Sequence, residues 1–252
     1  IKYDHIECNY VLALHKRKLQ VKKVKVIFID YESVEDISKQ LERVRADIVI
    51  NCIGLTSVEK CEENPELAFK TNVNISKNIA TACLKTDIKL VHISTDHLFD
   101  GNNAFVDEGT ELSPLNTYGK TKGEGERDVL KINPEALVIR TNFFGWGPSY
   151  KASFSDMILK NLENNKPSKL FDDVYYTPIS VKTLSLNINY LINNSAKGLF
   201  NICSNERITK YQFGMMIANA FDYSSELLEP IRIKDVPNLT VRPKDMSLSN
   251  HK

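Results

Sequence analysis

Two side chains four positions apart, Tyr118 and Lys122, stand in the run Ser113-Pro114-Leu115-Asn116-Thr117-Tyr118-Gly119-Lys120-Thr121-Lys122. The pattern predicts a helix over 117–130, and on a helix this spacing puts both on one face. A phenol titrates near about 10 when unperturbed, and a neighbouring ammonium favours the phenolate. Such a tyrosine can hand a proton to a carbonyl oxygen as hydride reaches the carbon, then recover it. By itself the pair is common on exposed helix faces; its upstream context gives it meaning. Leu90-Val91-His92-Ile93-Ser94-Thr95-Asp96-His97 carries hydroxyls at the carboxyl end of an apolar strand, the place where ligands bind in open α/β sheets. Thr95 is thus a candidate donor to the same carbonyl oxygen, completing a Thr95/Tyr118/Lys122 set.

The elements that must position this set alternate along the chain. Short runs rich in Val, Ile and Leu predict strands at 10–14, 25–29, 48–52, 90–93 and 137–140. Helical patterns cover 34–43, 65–84, 117–130, 154–164, 181–194 and 209–221. Such alternation signals a parallel sheet with crossover helices, and near-continuously apolar strands predict helices on both faces. From about Gly145 the rhythm gives way to a Gly-Trp-Gly-Pro loop and short pieces near 176–179 and 199–202. The expected fold is α/β: a Rossmann-like doubly wound sheet over 1–145, then a small substrate-binding cap over 146–252 with some segments returning to the sheet. A dinucleotide-binding sheet opens with a strand and a glycine-rich loop. Neither is in the sequence, so the first strand and phosphate loop are expected to be absent from the numbered residues.

Composition narrows the class. The chain has 252 residues, 42% of them hydrophobic and 26% charged, with a formal net charge of +1. Near-neutral charge gives no reason to expect nucleic acid as a partner, and no apolar run has the length a membrane span requires. Cys8, Cys52, Cys61, Cys83 and Cys203 are scattered, without a C-x-x-C pair, so neither a disulfide framework nor a metal site is expected. A reducing cytoplasm fits this usage.

Taken in order, Asp47-Ile48-Val49-Ile50-Asn51-Cys52-Ile53-Gly54, Thr56-Ser57-Val58-Glu59-Lys60-Cys61-Glu62, Asn72-Val73-Asn74, Ser94-Thr95-Asp96, the Tyr118/Lys122 run and Val138-Ile139-Arg140-Thr141-Asn142 resemble the dTDP-4-dehydrorhamnose reductases. These are sugar-nucleotide enzymes of the extended short-chain dehydrogenase/reductase superfamily. Weaker matches continue through Asp172-Asp173, Thr177-Pro178 and Arg242-Pro243.

The resemblance implies NAD(P)H-dependent reduction of a nucleoside-diphosphate 4-keto-6-deoxy sugar. It implies cofactor contacts at Cys52, Ile53 and Gly54 after the strand at 48–52, at Asn72, Ser94, Tyr118 and Lys122, at Asn142 and Phe143 toward the nicotinamide, and at Asp30 near the adenine. Substrate would be met by Thr56, Thr95, His97, Tyr118, Phe143 and Arg242. Ile53 departs from the small residue usual beside the dinucleotide and narrows the space there; His97 and Phe143 depart from the usual Tyr and Trp, which leaves the sugar and the base open. After the first predicted strand, His15-Lys16-Arg17-Lys18 offers no acid for a ribose 2′-hydroxyl. Lys16 and Arg17 instead suit a 2′-phosphate, so NADPH is expected over NADH. Relatives often pair through the helix carrying the tyrosine, so the resemblance leaves a homodimer open.

Two neighbouring activities fit less well. A 4,6-dehydratase would carry Glu where His97 stands, and an epimerase a Ser-Ser pair at the Ser94-Thr95 turn. A different class stays open: the regulatory subunit of methionine adenosyltransferase resembles the same branch, binds a dinucleotide and acts by association.

Overall fold

The computed structural model describes residues 9–14, 24–147 and 152–252. Lys16, Arg17 and Cys8 lie outside them. The first part of the chain runs β1 (Val11–Leu14), β2 (Lys25–Phe28), α1 (Val34–Val44), β3 (Ile48–Asn51), α2 (Val58–Glu63), α3 (Pro65–Phe69), α4 (Ile75–Lys85), β4 (Lys89–Ile93), α5 (Thr117–Ile132) and β5 (Leu137–Arg140). It continues with β6 (Phe143–Phe144), α6 (Phe154–Glu163), β7 (Ser168–Phe171), β8 (Tyr175–Tyr176), β9 (Ile179–Ser180), α7 (Val181–Asn193), β10 (Gly198–Asn201), β11 (Ile208–Thr209), α8 (Lys210–Ala220) and β12 (Leu228–Ile231).

The central sheet is parallel throughout, in the order β10-β5-β4-β3. β5 is buried at all four residues, and Leu90, Val91 and His92 of β4 are buried too. This is the composition that helices on both faces demand. β1 and β2 form a second parallel pair, joined to the main sheet through a common apolar core. Ala13 and Ile27 pack there with Ile37, Leu41, Ile79, Cys83, Leu90 and Val138. Among the described residues β1 and β3 do not pair. β3 also departs from the expectation of burial on both faces: Ile48 and Ile50 are 37% and 48% exposed, because no described element covers that side.

The single helix expected over 65–84 is instead α3, one π-helical turn at Lys70–Asn74, and α4. A π turn inserts an extra residue into the spiral. Here that widened turn carries Asn72, 1% exposed, into the protein. α2 was not foreseen. Ser57 caps it by accepting from the Lys60 N–H, and the six-residue length is too short for a clear apolar period.

A second core gathers beyond β5. Ile158 and Leu162 of α6, Leu170 of β7, Phe213 and Ile217 of α8 and Leu228 of β12 close around Tyr176. Capping boxes at Ser153 and Thr209 fix where α6 and α8 begin. Between these helices the chain returns to the main sheet, where α7 and β10 bury Leu184, Ile188 and Ile202 against Val91, Leu137 and Ile139. The last residues thread back as well: Val106 bridges Leu248, and the Asn116 side chain donates to the Val241 carbonyl at 2.9 Å.

Candidate active site

Helix α5 starts at a fixed point. The Asn116 side chain accepts the Gly119 N–H at 2.9 Å, and the Glu62 carboxylate accepts the Thr117 N–H at 2.6 Å. Negative and acceptor groups are favoured at a helix N-terminus, where backbone donors lack partners. The helix then lies against its neighbours without room for side chains at two places. A Cβ on Gly119 would collide with the His97 carbonyl, and one on Gly125 with the Asn72 carbonyl. One turn of this tightly held helix presents Tyr118 and Lys122, 7% and 4% exposed.

At the end of β4 the Ser94 N–H still donates to the Ile139 carbonyl at 2.7 Å. The chain then turns, leaving Thr95 and Asp96 buried at 5% and 1% exposure. The Thr95 hydroxyl donates to Asp96 Oδ1 at 3.3 Å and accepts the His97 N–H at 3.4 Å. Asp96 Oδ2 accepts from the Asn142 amide at 2.6 Å. Next comes His97, whose ring meets that of Tyr118 edge-on, centroids 5.3 Å apart. Thr95, Tyr118 and Lys122 are therefore brought to one buried locus at the carboxyl end of the central strand.

Electrostatics at this locus differ from what the spacing alone implied. Burial pushes the Tyr118 phenol above its ordinary value, with Thr95 acting the other way. The phenol is thus a protonated donor at neutral pH, whereas a neighbouring ammonium had been expected to lower it. Lys122 points its ammonium at the Ile93 carbonyl, 2.8 Å away, and burial lowers it to about 8, with Glu126 working the other way. Behind it Glu126 forms a bidentate pair with Arg140, the closest contact 2.6 Å, both side chains 3% exposed or less. His97 is held below its usual value by burial, against the pull of Asp96, and stays neutral.

The other residues implied for the cofactor take distinct places. Gly54 lies beside Lys122: a Cβ there would stand 3.3 Å from Asn72 Oδ1 and 3.9 Å from Lys122 Nζ. Asn72 spends its amide on the chain itself, bonding the Leu55 N–H, the Leu55 carbonyl and Thr121 Oγ1. It is a strut that holds the Gly54 loop to α5. Cys52 is exposed and Ile53 partly buried. Asp30 is exposed and accepts the Glu32 N–H in the turn leading to α1. The hydroxyls of Ser94 and Thr141 are buried without a hydrogen-bond partner. Gly54, Ser94 and Thr141 follow the neighbouring strands β3, β4 and β5, and the Lys122 ammonium sits at the end of β4; unsatisfied hydroxyls, a bare glycine and an ammonium along one sheet edge suit a polyhydroxylated ligand such as a nicotinamide ribose.

Of the residues implied for substrate, Thr56 and Phe143 are exposed, Phe143 to 52%. Arg242 is held by Glu59 and by the Thr240 carbonyl. Asp96, Glu59 and Glu62 were not among the residues expected here. Asp96 had a signal, since it directly follows Thr95; the others come from segments whose approach to the site is tertiary. Among the described residues no three His, Cys, Asp or Glu side chains group to hold a metal, and no helix is long and apolar enough to cross a membrane.

The family described as RmlD substrate binding domain matches residues 9–252. The chain belongs to this family. A probable low-salt glycan biosynthesis reductase, Agl14 of Haloferax volcanii, is 30% identical over 220 residues, covering 86% of this chain and 73% of that protein. The methionine adenosyltransferase 2 subunit beta of Rattus norvegicus is 30% identical over 239 residues, 92% of this chain and 70% of that one. A dTDP-4-dehydrorhamnose reductase crystal structure from Clostridium acetobutylicum superposes with a TM-score of 0.83 at 28% identity, covering 96% of this chain and 90% of that one. The α/β fold with its parallel sheet, expected from the strand pattern, is the fold of this reductase-like branch.

Proposed function

We propose that the protein reduces the 4-keto group of a nucleoside-diphosphate 6-deoxy sugar, with NADPH preferred over NADH. The observation that carries this reading is the buried Tyr118 phenol, gathered with Thr95 and Lys122 where β4 ends. Reduction needs a proton donor at the oxygen, and a phenol raised by burial holds its proton until that oxygen becomes basic. A nicotinamide dinucleotide, when bound, would supply the hydride to the carbonyl carbon. Thr95 donates a hydrogen bond to the developing oxyanion, and Tyr118 transfers its proton to the same atom. Lys122 orients the ribose through its ammonium. Asp96, held by Asn142, keeps the Thr95 hydroxyl in place. Residues 1–145 would then carry the dinucleotide and 146–252 most of the substrate cap. Preference for NADPH rests on the basic Lys16-Arg17 pair, which lies outside the described residues.

The test is turnover. Full-length protein, NADPH or NADH, and nucleotide-linked 4-keto-6-deoxy sugars differing in base are mixed, and dinucleotide oxidation is followed at its absorbance band. Loss of that signal with every such sugar would reject the reductase reading. A second reading is favoured by the 30% identity to the rat methionine adenosyltransferase subunit over 92% of the chain: a dinucleotide-binding regulatory subunit. It predicts no turnover, together with stoichiometric capture of a methionine adenosyltransferase catalytic subunit.

A further inference from the structure

Lys210 opens helix α8 directly after its N-cap Thr209. Its ammonium stands 3.3 Å from the centroid of the Tyr176 ring and 5.3 Å from that of Phe154. Aromatic faces attract a cation but do not neutralise it. Among the described residues no carboxylate oxygen lies within 4.0 Å of this nitrogen. Arg242 makes the contrast, since its charge is already met by Glu59. Below Lys210 the hydroxyl of Tyr176, a residue 2% exposed, has no hydrogen-bond partner.

The site's own charges connect this lysine to the chemistry. Burial lowers the Lys210 ammonium, Asp96 supports it and Arg242 opposes it. His97, whose ring borders the Tyr118 phenol, feels both cations. Both cations thus act on the imidazole that meets the Tyr118 ring, and of the two Arg242 alone has an anion of its own. A partly desolvated cation without a carboxylate is costly until a ligand supplies one.

We propose that Lys210 receives an anionic oxygen of the substrate, from the sugar-linked phosphate or from a carboxylate on the sugar ring, and so decides which nucleotide sugars the site accepts. This deepens the reductase reading and rests on it. Its chemistry is that of a point charge with three donors meeting a compact anion.

Isothermal titration on NADPH-loaded full-length protein tests it without requiring turnover. The probes are dTDP-glucose and its glucuronic acid counterpart; the proteins are wild type, Lys210→Met and Lys210→Arg. Lys210→Met is expected to weaken binding by about tenfold or more, with Lys210→Arg recovering most of it. Weakening on both ligands assigns the phosphate, and weakening on the uronic acid alone assigns the ring carboxylate. Equal dissociation constants for wild type and Lys210→Met on both ligands would overturn the proposal while leaving the reductase reading intact. A loss that arginine does not restore would overturn it as well, since that is the mark of disturbed packing. Failure of the wild type to bind either ligand would overturn the proposal, while the reductase reading stands or falls on its own turnover test with other bases.

Discussion

The side-chain amide of Asn72 donates to Thr121 Oγ1 at 3.0 Å and links the π turn before α4 to the helix that carries Tyr118 and Lys122. Through Oδ1 the same amide accepts the Leu55 N–H at 2.8 Å, so one residue ties three segments together behind Tyr118. Replacing Asn72 by Ala leaves a buried donor and acceptor unmet. The expected cost is about 1–3 kcal/mol of stability, read as a lowered urea midpoint, with a rise in dinucleotide dissociation constant as the Gly54 loop loosens. An unchanged midpoint would show that water replaces the amide and that the strut is dispensable.

Close packing of α5 gives a second expectation. Gly125→Ala places a methyl against the Asn72 carbonyl, and relief requires the helix to move off the π turn. Overpacking of this kind costs about 1–3 kcal/mol. Because Tyr118 rides on the same helix, turnover should fall with stability. Gly109→Ala is the control: a Cβ there meets only Asp107 Oδ1, at 3.6 Å, and both properties should stay at wild-type level.

The Arg140–Glu126 pair behind Lys122 is buried on both sides. Removing one partner strands a charge, so Arg140→Met and Glu126→Gln are each expected to destabilise by about 3–5 kcal/mol. The double variant should recover a large part of either loss. Strictly additive losses in thermal or urea unfolding would mean that the two side chains act independently.

Tyr118→Phe removes the transferable proton and keeps the ring that meets His97. Turnover is expected to drop by roughly 10²–10⁴-fold, while fluorescence titration with NADPH stays within a few-fold of wild type. Native turnover in Tyr118→Phe would strip this residue of its proposed part.

Burial moves Lys122 from 10.5 down to about 8. Its folded value lies below its unfolded one, so between pH 8 and 10.5 the unfolded chain binds more protons. Stability contributed by this group therefore rises with pH across that window and is lowest below it, where the buried ammonium persists. For the ligand the sign is opposite, because the charged donor is lost as pH passes 8. NADPH affinity of the free protein is expected to weaken from pH 7 to pH 9 in wild type and to be flatter in Lys122→Met. Parallel profiles for the two proteins would assign the pH dependence to other groups.

Local patterns wrote much of this protein into its sequence. Apolar runs made β4 and β5 recognisable, because a strand covered on both faces needs no polar position. Four-residue spacing put Tyr118 and Lys122 on one helix face, and the hydroxyls of Ser94 and Thr95 at a strand end marked where a ligand belongs. What remained hidden depends on which segments meet. The π turn that drives Asn72 inward has no signature in a helical period. The exposure of Ile48 and Ile50 reflects the absence of a covering element among the described residues rather than their own hydrophobicity. The phenol's raised pKa, opposite to what its lysine neighbour implied, comes from how completely the fold excludes water there, a property of the assembled core. Lys210 comes to rest on the Tyr176 ring only because β11 pairs with β8 and sets the start of α8 there. Short-range periodicity determines the elements; charge, solvation and the company each side chain keeps are settled when distant segments pack.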